Sequence, residues 1–318
     1  MSEIDFLDLL HKRQYVKGFI PDPENIVFTI EGKTIGSLSN YCTIAGLPKS
    51  GKSTYISAIL ASSLISGSLF GIKLQTPTNR HKIAYFDTES ANTEFYAQVQ
   101  KIKKFAAIPE IPDHLLCFQV REDSPKVIRG MIEFLISQNP DISVIFIDGL
   151  LDLCINYNDE RETRYLTNYL KRITKQYNIL IINVLHLGKK DGETLGHLGS
   201  NSDRWAQSTL TITKDKVNKT IILESKFLRS ADEINPIVLQ NIGGAWYPVD
   251  EVKDIDERNE DQIINTLLST EISYRKMIEG IMRITKKGQN YAKSMAKRWV
   301  ESGKVTKTGT GYIITSYF

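Results

Sequence analysis

The sequence predicts an α/β fold in which helices cover both faces of a mostly parallel sheet. Short runs such as KIAYFD (82–87) and SVIFID (143–148) are apolar on both faces of a strand, which is typical of buried parallel strands. Segments with helical periodicity alternate with these runs. The chain has 318 residues, 41% of them hydrophobic and 24% charged, a composition typical of globular proteins and sufficient for about two domains.

The alternation of strands and helices begins near residue 26 and continues to about residue 198. Beyond it, three short β-branched runs at 208–214, 220–225 and 237–240 predict smaller strands that extend the sheet in antiparallel fashion. The predicted strands of the alternating region are Val27–Ile30, Tyr41–Ala45, Lys82–Asp87, Leu115–Val120, Ser143–Asp148 and Asn178–Leu185, and its predicted helices are Ser53–Ser66, Asn92–Phe105, Pro125–Ser137 and Glu162–Gln176.

Two changes in composition indicate the domain boundaries. Residues 1–25 combine a short amphipathic helix with a proline-rich stretch, which predicts an N-terminal arm. The charged segment DEVKDIDERN (250–259) indicates a bridge between domains. The α/β domain is therefore predicted at 26–250, a linker at 251–260 and a second domain at 261–318.

Composition also bears on compartment and partners. No apolar run reaches the ~18 residues of a membrane-spanning helix. The acidic start does not resemble a signal peptide, and three widely spaced cysteines predict reduced thiols, so a cytoplasmic protein without a membrane partner is expected. The net charge is +3, but residues 271–318 hold ten Lys/Arg against three Asp/Glu. This basic end predicts a polyanionic partner, and a solvated lysine-rich surface is the alternative.

The segment GLPKSGKS (46–53) matches the pattern G-x-x-x-x-G-K-[ST] between a predicted strand and a predicted helix. In this pattern backbone N–H groups surround a phosphate, Lys52 contacts the β- and γ-phosphates, and the Ser53 hydroxyl binds Mg²⁺. The cofactors predicted are therefore ATP and Mg²⁺. The predicted nucleotide-binding residues are Gly46, Ser50, Gly51, Lys52, Ser53 and Thr54.

Asp148 follows four apolar residues at the carboxyl end of a predicted strand, the edge at which parallel sheets bind ligands. It is predicted to complete the magnesium site with Ser53. Four further stretches accompany these two motifs: KIAYFDTE (82–89), NVLHLGKK (183–190), the glycine-rich segment 187–200 and ESKFLRS (224–230). With these motifs, residues 27–248 resemble the RecA/DnaB-type P-loop ATPases, most closely the RepA-like hexameric replicative helicases of plasmids and mobile elements.

The resemblance implies roles at the predicted hydrolysis site. Glu89 takes the position of the glutamate that polarises the attacking water, with Asp87 on the same strand face as the alternative. His186 takes the position of a polar sensor of the γ-phosphate. A solvated strand end and a structural histidine are the competing interpretations of these residues.

The resemblance also implies contacts with nucleic acid and with a neighbouring subunit. The loop 187–200, with Lys189 and Lys190, takes the position of a pore loop that grips a single strand, and the mostly acidic loop 154–161 that of a second one. Lys226 and Arg229 match the pair that reaches the neighbour's nucleotide, although their K-x-x-R spacing departs from the usual K-x-R. A homo-oligomeric ring of six subunits follows, in which the arm is expected to pack on a neighbour.

The C-terminal segment predicts helices at 263–268, 274–283 and 290–302, and then a glycine-containing hairpin. This order resembles a winged helix-turn-helix, in which the third helix enters a major groove and the hairpin touches phosphates. A protein-contact role is the alternative. The predicted DNA-binding residues of this domain are Lys293, Lys297, Arg298, Lys304 and Lys307.

The leading functional hypothesis is an ATP-hydrolysing, ring-forming DNA motor, a replicative helicase of a mobile element or plasmid that binds single-stranded and double-stranded DNA. The alternatives are a RadA-like recombination or repair ATPase, an ATP-switched DNA-binding regulator without unwinding activity, and a small-molecule kinase. The basic tail and the pair Lys226 and Arg229 argue against the kinase.

Overall fold

The computed structural model describes residues 6–20, 22–188, 196–215, 219–249, 263–268, 270–285 and 289–315. The chain divides into two compact units, Met1–Ile237 and Val238–Phe318. The linker predicted at 251–260 and residues 1–5 of the arm lie outside the described residues, so the predicted domain boundaries stay predictions.

The first unit contains α-helices, β-strands and a 3₁₀ turn at Leu150–Leu153, and strands alternate with helices from Lys82 to Asp215. The helices are α1 (Phe6–Arg13), α2 (Lys52–Ser62), α3 (Asn92–Ala106), α4 (Pro125–Gln138), α5 (Glu160–Tyr177) and α6 (Gly196–Trp205). The strands are β1 (Ile26–Ile30), β2 (Lys33–Ser37), β3 (Tyr41–Gly46), β4 (Ile72–Leu74), β5 (Lys82–Asp87), β6 (Leu115–Gln119), β7 (Ile142–Asp148), β8 (Leu180–His186), β9 (Ser208–Asp215), β10 (Thr220–Leu228) and β11 (Ile237–Ile242), whose first residue closes the unit.

The main sheet of the first unit is mostly parallel, as predicted. Its strand order is β10-β9-β3-β8-β7-β5-β6, in which the β9–β10 pair is antiparallel and the other pairs are parallel. Strands β3, β7 and β8 are buried at nearly every position. Helices flank this sheet, so the chain has the mixed α/β architecture that fits a RecA-like core.

The two faces of the sheet are covered by different helices. On one face Ile145 and Ile181 join a core with the apolar positions of α4, α5 and α6. On the other, the Tyr85 ring stacks on Phe95 of α3 with 6.2 Å between the ring centroids. Because side chains alternate along a strand, consecutive residues of β5 and β7 supply both cores. The loops of the first unit that are considered below follow the carboxyl ends of the parallel strands β3, β5, β7 and β8 or the outer strand β10.

Several elements differ from the sequence prediction. Strands β2 and β4 were not predicted, and they form a small antiparallel sheet of order β2-β1-β4. Helix α2 ends at Ser62 and does not reach Ser66. The predicted pore loop 187–200 is too long, because helix α6 already begins at Gly196 and buries Leu198 in the core. Glycines at 196 and 199 obscured this helix, whose stability comes from tertiary packing.

The second unit contains elements close to those predicted for the tail. A strand pair joins the end of β11 to β12 (Ala245–Pro248), and a helical turn occupies 263–267. Two longer helices, Tyr274–Thr285 and Gln289–Glu301, precede a hairpin of β13 (Val305–Lys307) and β14 (Tyr312–Ile314). The fully buried Trp299 lies in a core with Met277 and Ile281. Within the described ranges, no helix has the length and apolar character needed to span a membrane.

Candidate nucleotide site

The loop between β3 and α2 has the backbone that a phosphate cradle requires. Gly51, which precedes α2, adopts φ 98°, a left-handed conformation that glycine accepts without strain. A Cβ at Gly46 would lie 2.6 Å from Ser50 Oγ and 2.8 Å from Ile212 O, so no other residue fits there without displacement. Of the two glycines fixed by the motif, Gly51 therefore permits the turn and Gly46 permits the close approach of the backbone.

Two side chains of this loop have the properties of phosphate ligands. Ser50 Oγ is buried and has no hydrogen-bond partner within the described part of the chain. The Lys52 ammonium is largely buried and donates to the carbonyl oxygens of Gly46 and Leu47, each at 3.0 Å. Burial lowers the pKa of Lys52, and the charges of Glu89 and Asp148 oppose this effect. An incoming phosphate would receive both donors, so the residues present fit a polyphosphate.

The other predicted nucleotide ligands lie at the start of α2. Ser53 is exposed and therefore accessible to a magnesium ion, whereas the Thr54 side chain is buried. The Thr54 N–H donates to Gly51 O at 3.0 Å. The early N–H groups of α2 add the positive end of the helix dipole to the cradle.

Lys52, His186 and Glu89 form one hydrogen-bonded chain. Lys52 Nζ lies 3.2 Å from His186 Nδ1, and His186 Nε2 lies 2.8 Å from Glu89 Oε1. A protonated lysine can only donate, so Nδ1 accepts, and Nε2 carries the hydrogen that is donated to Glu89. The hydrogen bond from His186 is the main reason why the pKa of Glu89 is lowered. Three residues predicted separately from the sequence are thus brought into direct contact.

Asp148 ends β7 directly beside Asp87, which ends the neighbouring strand β5. The Tyr85 hydroxyl lies 3.2 Å from Asp87 Oδ2 and 3.3 Å from Asp148 Oδ2. Burial, together with repulsion from Asp87 and Glu89, raises the pKa of Asp148 to about 7. Such a carboxyl group is well suited to a nearby cation, because a cation favours its charged form. Asp148 and the exposed Ser53 hydroxyl are oxygen ligands of the type that Mg²⁺ prefers, and bound Mg²⁺ would neutralise phosphate charge.

The geometry favours Glu89 over Asp87 as the residue that orients water. Asp87 Oδ1 accepts the backbone N–H groups of Glu89 and Ser90 at 3.0 and 2.8 Å, so Asp87 stabilises the turn that follows β5. Glu89 instead faces His186 and lines an open cavity of about 590 Å³. The cavity leaves room for water next to this carboxylate.

Sequence reasoning missed Thr88, Gly149 and Asp152. The Thr88 hydroxyl lies 2.6 Å from Asp152 Oδ2 and 2.8 Å from the carbonyl oxygen of Asp148, so it ties the turn before Glu89 to the turn after β7. Asp152 also lines the cavity beside Glu89. The sequence signal for Asp152 was its position four residues after Asp148. This spacing indicates proximity to Glu89 only when the 3₁₀ turn at Leu150–Leu153 is known.

Replacing Gly149 by alanine is expected to destabilise the fold and slow turnover. Gly149 has φ 109°, and a Cβ there would lie 2.0 Å from Thr88 Oγ1 and 3.0 Å from Glu89 Cγ. The free energy of unfolding should fall by about 1–3 kcal/mol, because the backbone is strained and Thr88 must move. Urea unfolding and ATP turnover measure the two effects.

Gly130→Ala is the matched control for this substitution. Gly130 lies within α4 and has an ordinary helical φ. Apart from its chain neighbours and the backbone of its own helix, no described atom lies within 4 Å of a Cβ built there. Helix propensity predicts a gain of up to ~1 kcal/mol for this variant. Unchanged stability and turnover of Gly149→Ala would contradict the close packing of Gly149 against Thr88.

The predicted loop 154–161 is fastened to the helix that follows it. The Glu162 carboxylate accepts the N–H groups of Ile155 and Asn156 at 2.6 and 2.8 Å, while Asp159 caps α5 by accepting the Glu162 N–H. Leu198 N, in α6, donates to Tyr157 O at 3.3 Å. The two segments predicted as pore loops are therefore in contact. Lys189 and Lys190 of the other loop lie outside the described residues.

Lys226 lies in β10 and Arg229 directly follows it, and the strand register separates Arg229 from the phosphate loop of the same chain. Ser208 pairs with Cys42 at the start of β3 and with Leu228 at the end of β10, whereas Gly46 lies four residues further along β3. Four residues of strand span about 13 Å. Both side chains contact the end of α6 instead: Lys226 Nζ lies 3.2 Å from Asp203 Oδ2, and Arg229 donates to the Arg204 carbonyl oxygen.

The predicted DNA-binding residues of the tail all lie in the second unit. Lys293, Lys297 and Arg298 are exposed on the helix Gln289–Glu301. Lys304 precedes β13, and Lys307 ends that strand. Lys297 forms an exposed ion pair with Glu301 at 3.5 Å, and such pairs contribute little to stability.

A family model described as "AAA domain" matches residues 35–192. The match includes the phosphate loop, Glu89, Asp148 and His186, and ends before Lys226, Arg229 and the basic tail. No curated protein matches the chain. The motif, the mostly parallel sheet and the family match agree on the class of domain. Residues 35–192 therefore carry an ATPase domain of the P-loop class, similar to AAA domains.

Proposed function

We propose that this protein is an ATP-driven, ring-forming motor that acts on DNA, of the kind found in RepA-like replicative helicases. The observation that carries the proposal is the position of Lys226 and Arg229. The strand register places the end of β10, which Arg229 follows, four strand positions away from Gly46 of the same chain. Lys226 and Arg229 also take the place of the residues with which related ATPases contact a neighbour's nucleotide. A site completed by a second subunit requires an assembly, and a head-to-tail arrangement that closes is a ring.

The proposed chemistry uses the chain Lys52–His186–Glu89. Lys52 and Ser50 bind the phosphates, while Glu89 orients a water molecule in line with the γ-phosphate. When Lys52 turns to a phosphate, it leaves His186 Nδ1, and rotation of the freed imidazole can then move its one N–H, on Nε2, from Glu89 to a phosphate oxygen. Release from His186 frees the Glu89 carboxylate to accept a hydrogen bond from water.

The N-terminal arm supports assembly in this proposal. Phe6, Leu7 and Leu10 of α1 are each about two-thirds exposed. An isolated helix of eight residues is marginal in water and gains stability by burying its apolar side chains. A neighbouring subunit is the surface that we propose for it.

We further propose that the second unit is a winged helix-turn-helix that holds DNA. Three helical segments and a hairpin occur in the required order, and the segment 271–318 is strongly basic. Phosphate contacts by Lys304 and Lys307 at the hairpin would position the helix that contains Lys293 and Lys297.

One observation favours the ATP-switched regulator as the second candidate. The loop 154–161 is acidic and held by Glu162, which opposes a strong grip on a phosphate backbone. A switch would use nucleotide to assemble, and would hydrolyse it slowly without moving along DNA.

Strand displacement separates the two candidates. The full chain is mixed with a labelled forked duplex and Mg²⁺-ATP, and Lys52→Ala serves as the inactive control. The motor is expected to release the displaced strand and to form closed rings in electron micrographs with an ATP analogue and single-stranded DNA. Assembly and slow hydrolysis without strand release would instead favour the switch, and a single-subunit particle under nucleotide would refute the ring.

A further inference from the structure

The second unit contains a concave surface beside its last helix, here called the tyrosine groove. Its volume is about 680 Å³, and it is lined in part by Tyr274, Lys293, Lys297, Glu301 and Tyr312. The volume is sufficient for a nucleotide, and the lining combines aromatic rings with cationic side chains.

The basic side chains of the groove lie on a different helix face from the main core residues. Ala292, Met295 and Trp299 are buried in the unit's core, whereas Lys293 and Lys297 are exposed one helical turn apart. Two of the three basic residues of this helix that were predicted to bind DNA therefore line a concavity. A concave surface encloses a small flat group more readily than it inserts into a duplex.

Two of the residues that line this surface, Tyr274 and Tyr312, are in ring contact. Their ring centroids are 5.6 Å apart and the ring planes are tilted by 47°. Tyr312 is partly buried and anchored in β14, while Tyr274 at the start of its helix is 42% exposed. An exposed ring beside an anchored one offers a π-face on which a base can stack. Bases within a duplex are already stacked on their neighbours, so this face is useful only to an unpaired base.

The charge at the rim is complementary to a phosphate backbone. Lys293 and Lys297 lie one helical turn apart, where Cβ atoms are separated by about 5–6 Å, so both side chains can contact phosphates of one strand. Among the lining residues that the structure describes, Glu301 alone is acidic, and its exposed contact with Lys297 at 3.5 Å is weak enough for a phosphate to replace. The surrounding segment 271–318 is strongly basic.

We propose that the tyrosine groove binds single-stranded nucleic acid by stacking an unpaired base on Tyr274 and Tyr312, with Lys293 and Lys297 on the flanking phosphates. The inference rests on the proposed function for its nucleic-acid partner, and it adds a binding site separate from the predicted pore loops. At a junction between duplex and single-stranded DNA, the second unit would therefore bind the single-stranded part.

Affinity measurements on the full nucleotide-free chain test the proposal. Fluorescence anisotropy is recorded with a labelled single-stranded DNA oligomer, an RNA of the same sequence and a blunt duplex. Tyr274→Ala is expected to weaken single-strand binding by about 5- to 150-fold, the loss typical of one stacked base, and to leave duplex binding unchanged. Tyr274→Phe keeps the ring and should restore the affinity. Comparison of the DNA and RNA oligomers shows which nucleic acid the groove binds more tightly.

Two controls separate stacking from charge and folding. Lys293→Ala should lower the salt dependence of single-strand binding, whereas Lys276→Ala, which removes an equal charge outside the groove lining, should have a smaller effect. Tyr96→Ala removes an exposed tyrosine of the first unit and should bind normally. Photocrosslinking of an oligomer containing bromouracil should modify the peptide that includes Tyr274.

Unchanged single-strand affinity of Tyr274→Ala, or crosslinks confined to the first unit, would overturn the groove assignment and leave the motor proposal standing. Equal losses for single strand and duplex would likewise reject base stacking. The wild-type chain's failure to bind any oligomer would reject the groove and indicate a protein-contact role for this unit. Conversely, intact groove binding without strand displacement would reject the motor alone.

Discussion

Glu89→Gln is expected to bind ATP with nearly normal affinity and to hydrolyse it about 10²- to 10⁴-fold more slowly than the wild type. Glutamine has the size of glutamate but cannot accept a proton from the attacking water. Because Glu89 contacts His186 and not the phosphate cradle, the substitution leaves Lys52 and Ser50 in place. Binding of a fluorescent ATP analogue and release of inorganic phosphate measure the two effects separately.

Two neighbouring substitutions sharpen this experiment. Asp87→Asn removes the sequence-level alternative for the base, and its main expected consequence is a weaker turn after β5, because Asp87 Oδ1 accepts the N–H groups of Glu89 and Ser90. Lys52→Ala should abolish hydrolysis, because it removes the cation from the phosphate cradle. Normal turnover by Glu89→Gln together with a large loss for Asp87→Asn would transfer the base to Asp87.

The phosphate loop and the central strands could be predicted from the sequence because each is recognised from residues that are adjacent in the chain. A glycine at 51 adopts positive φ wherever it lies in such a turn, and the apolar runs of β5, β7 and β8 exceed what a half-exposed strand would carry. The parallel order then brings the carboxyl ends of these strands to one edge. Contact between Lys52, His186 and Glu89 follows from that topology, although the hydrogen bonds themselves require the structure.

The parts that escaped prediction depend on contacts between distant residues. Helix α6 has two glycines in its first turn and is stabilised by burial of Leu198 and by contacts with α5. The role of Thr88 appears only when β5 and β7 lie side by side, since its hydroxyl contacts residues about 60 positions away. Strand β4 has three residues, too few for an alternating pattern to be recognised.

Arg229→Ala is expected to lower the rate of ATP hydrolysis about 10³- to 10⁵-fold, the effect of removing an arginine finger, and to leave the affinity for ATP nearly unchanged. Within one chain the Arg229 guanidinium group contacts the Arg204 carbonyl oxygen, and the strand register places Arg229 away from a nucleotide bound at the phosphate loop of the same chain. The loss must therefore arise in a neighbouring site. Arg164→Ala, which removes an exposed arginine paired with Glu160, is the control and should retain normal turnover.

Mixing Arg229→Ala with Glu89→Gln distinguishes action in trans from a structural role. Each variant alone is inactive, but a site formed by the intact Glu89 of one subunit and the intact Arg229 of its neighbour is complete. Random assembly of equal amounts places such a pair at about one quarter of the interfaces of a head-to-tail ring, so a corresponding fraction of turnover should return. A purely structural defect in either variant cannot be repaired by mixing. Absence of any recovery, with both variants assembled, would show that Arg229 does not serve the neighbouring nucleotide and would remove the main support for the ring.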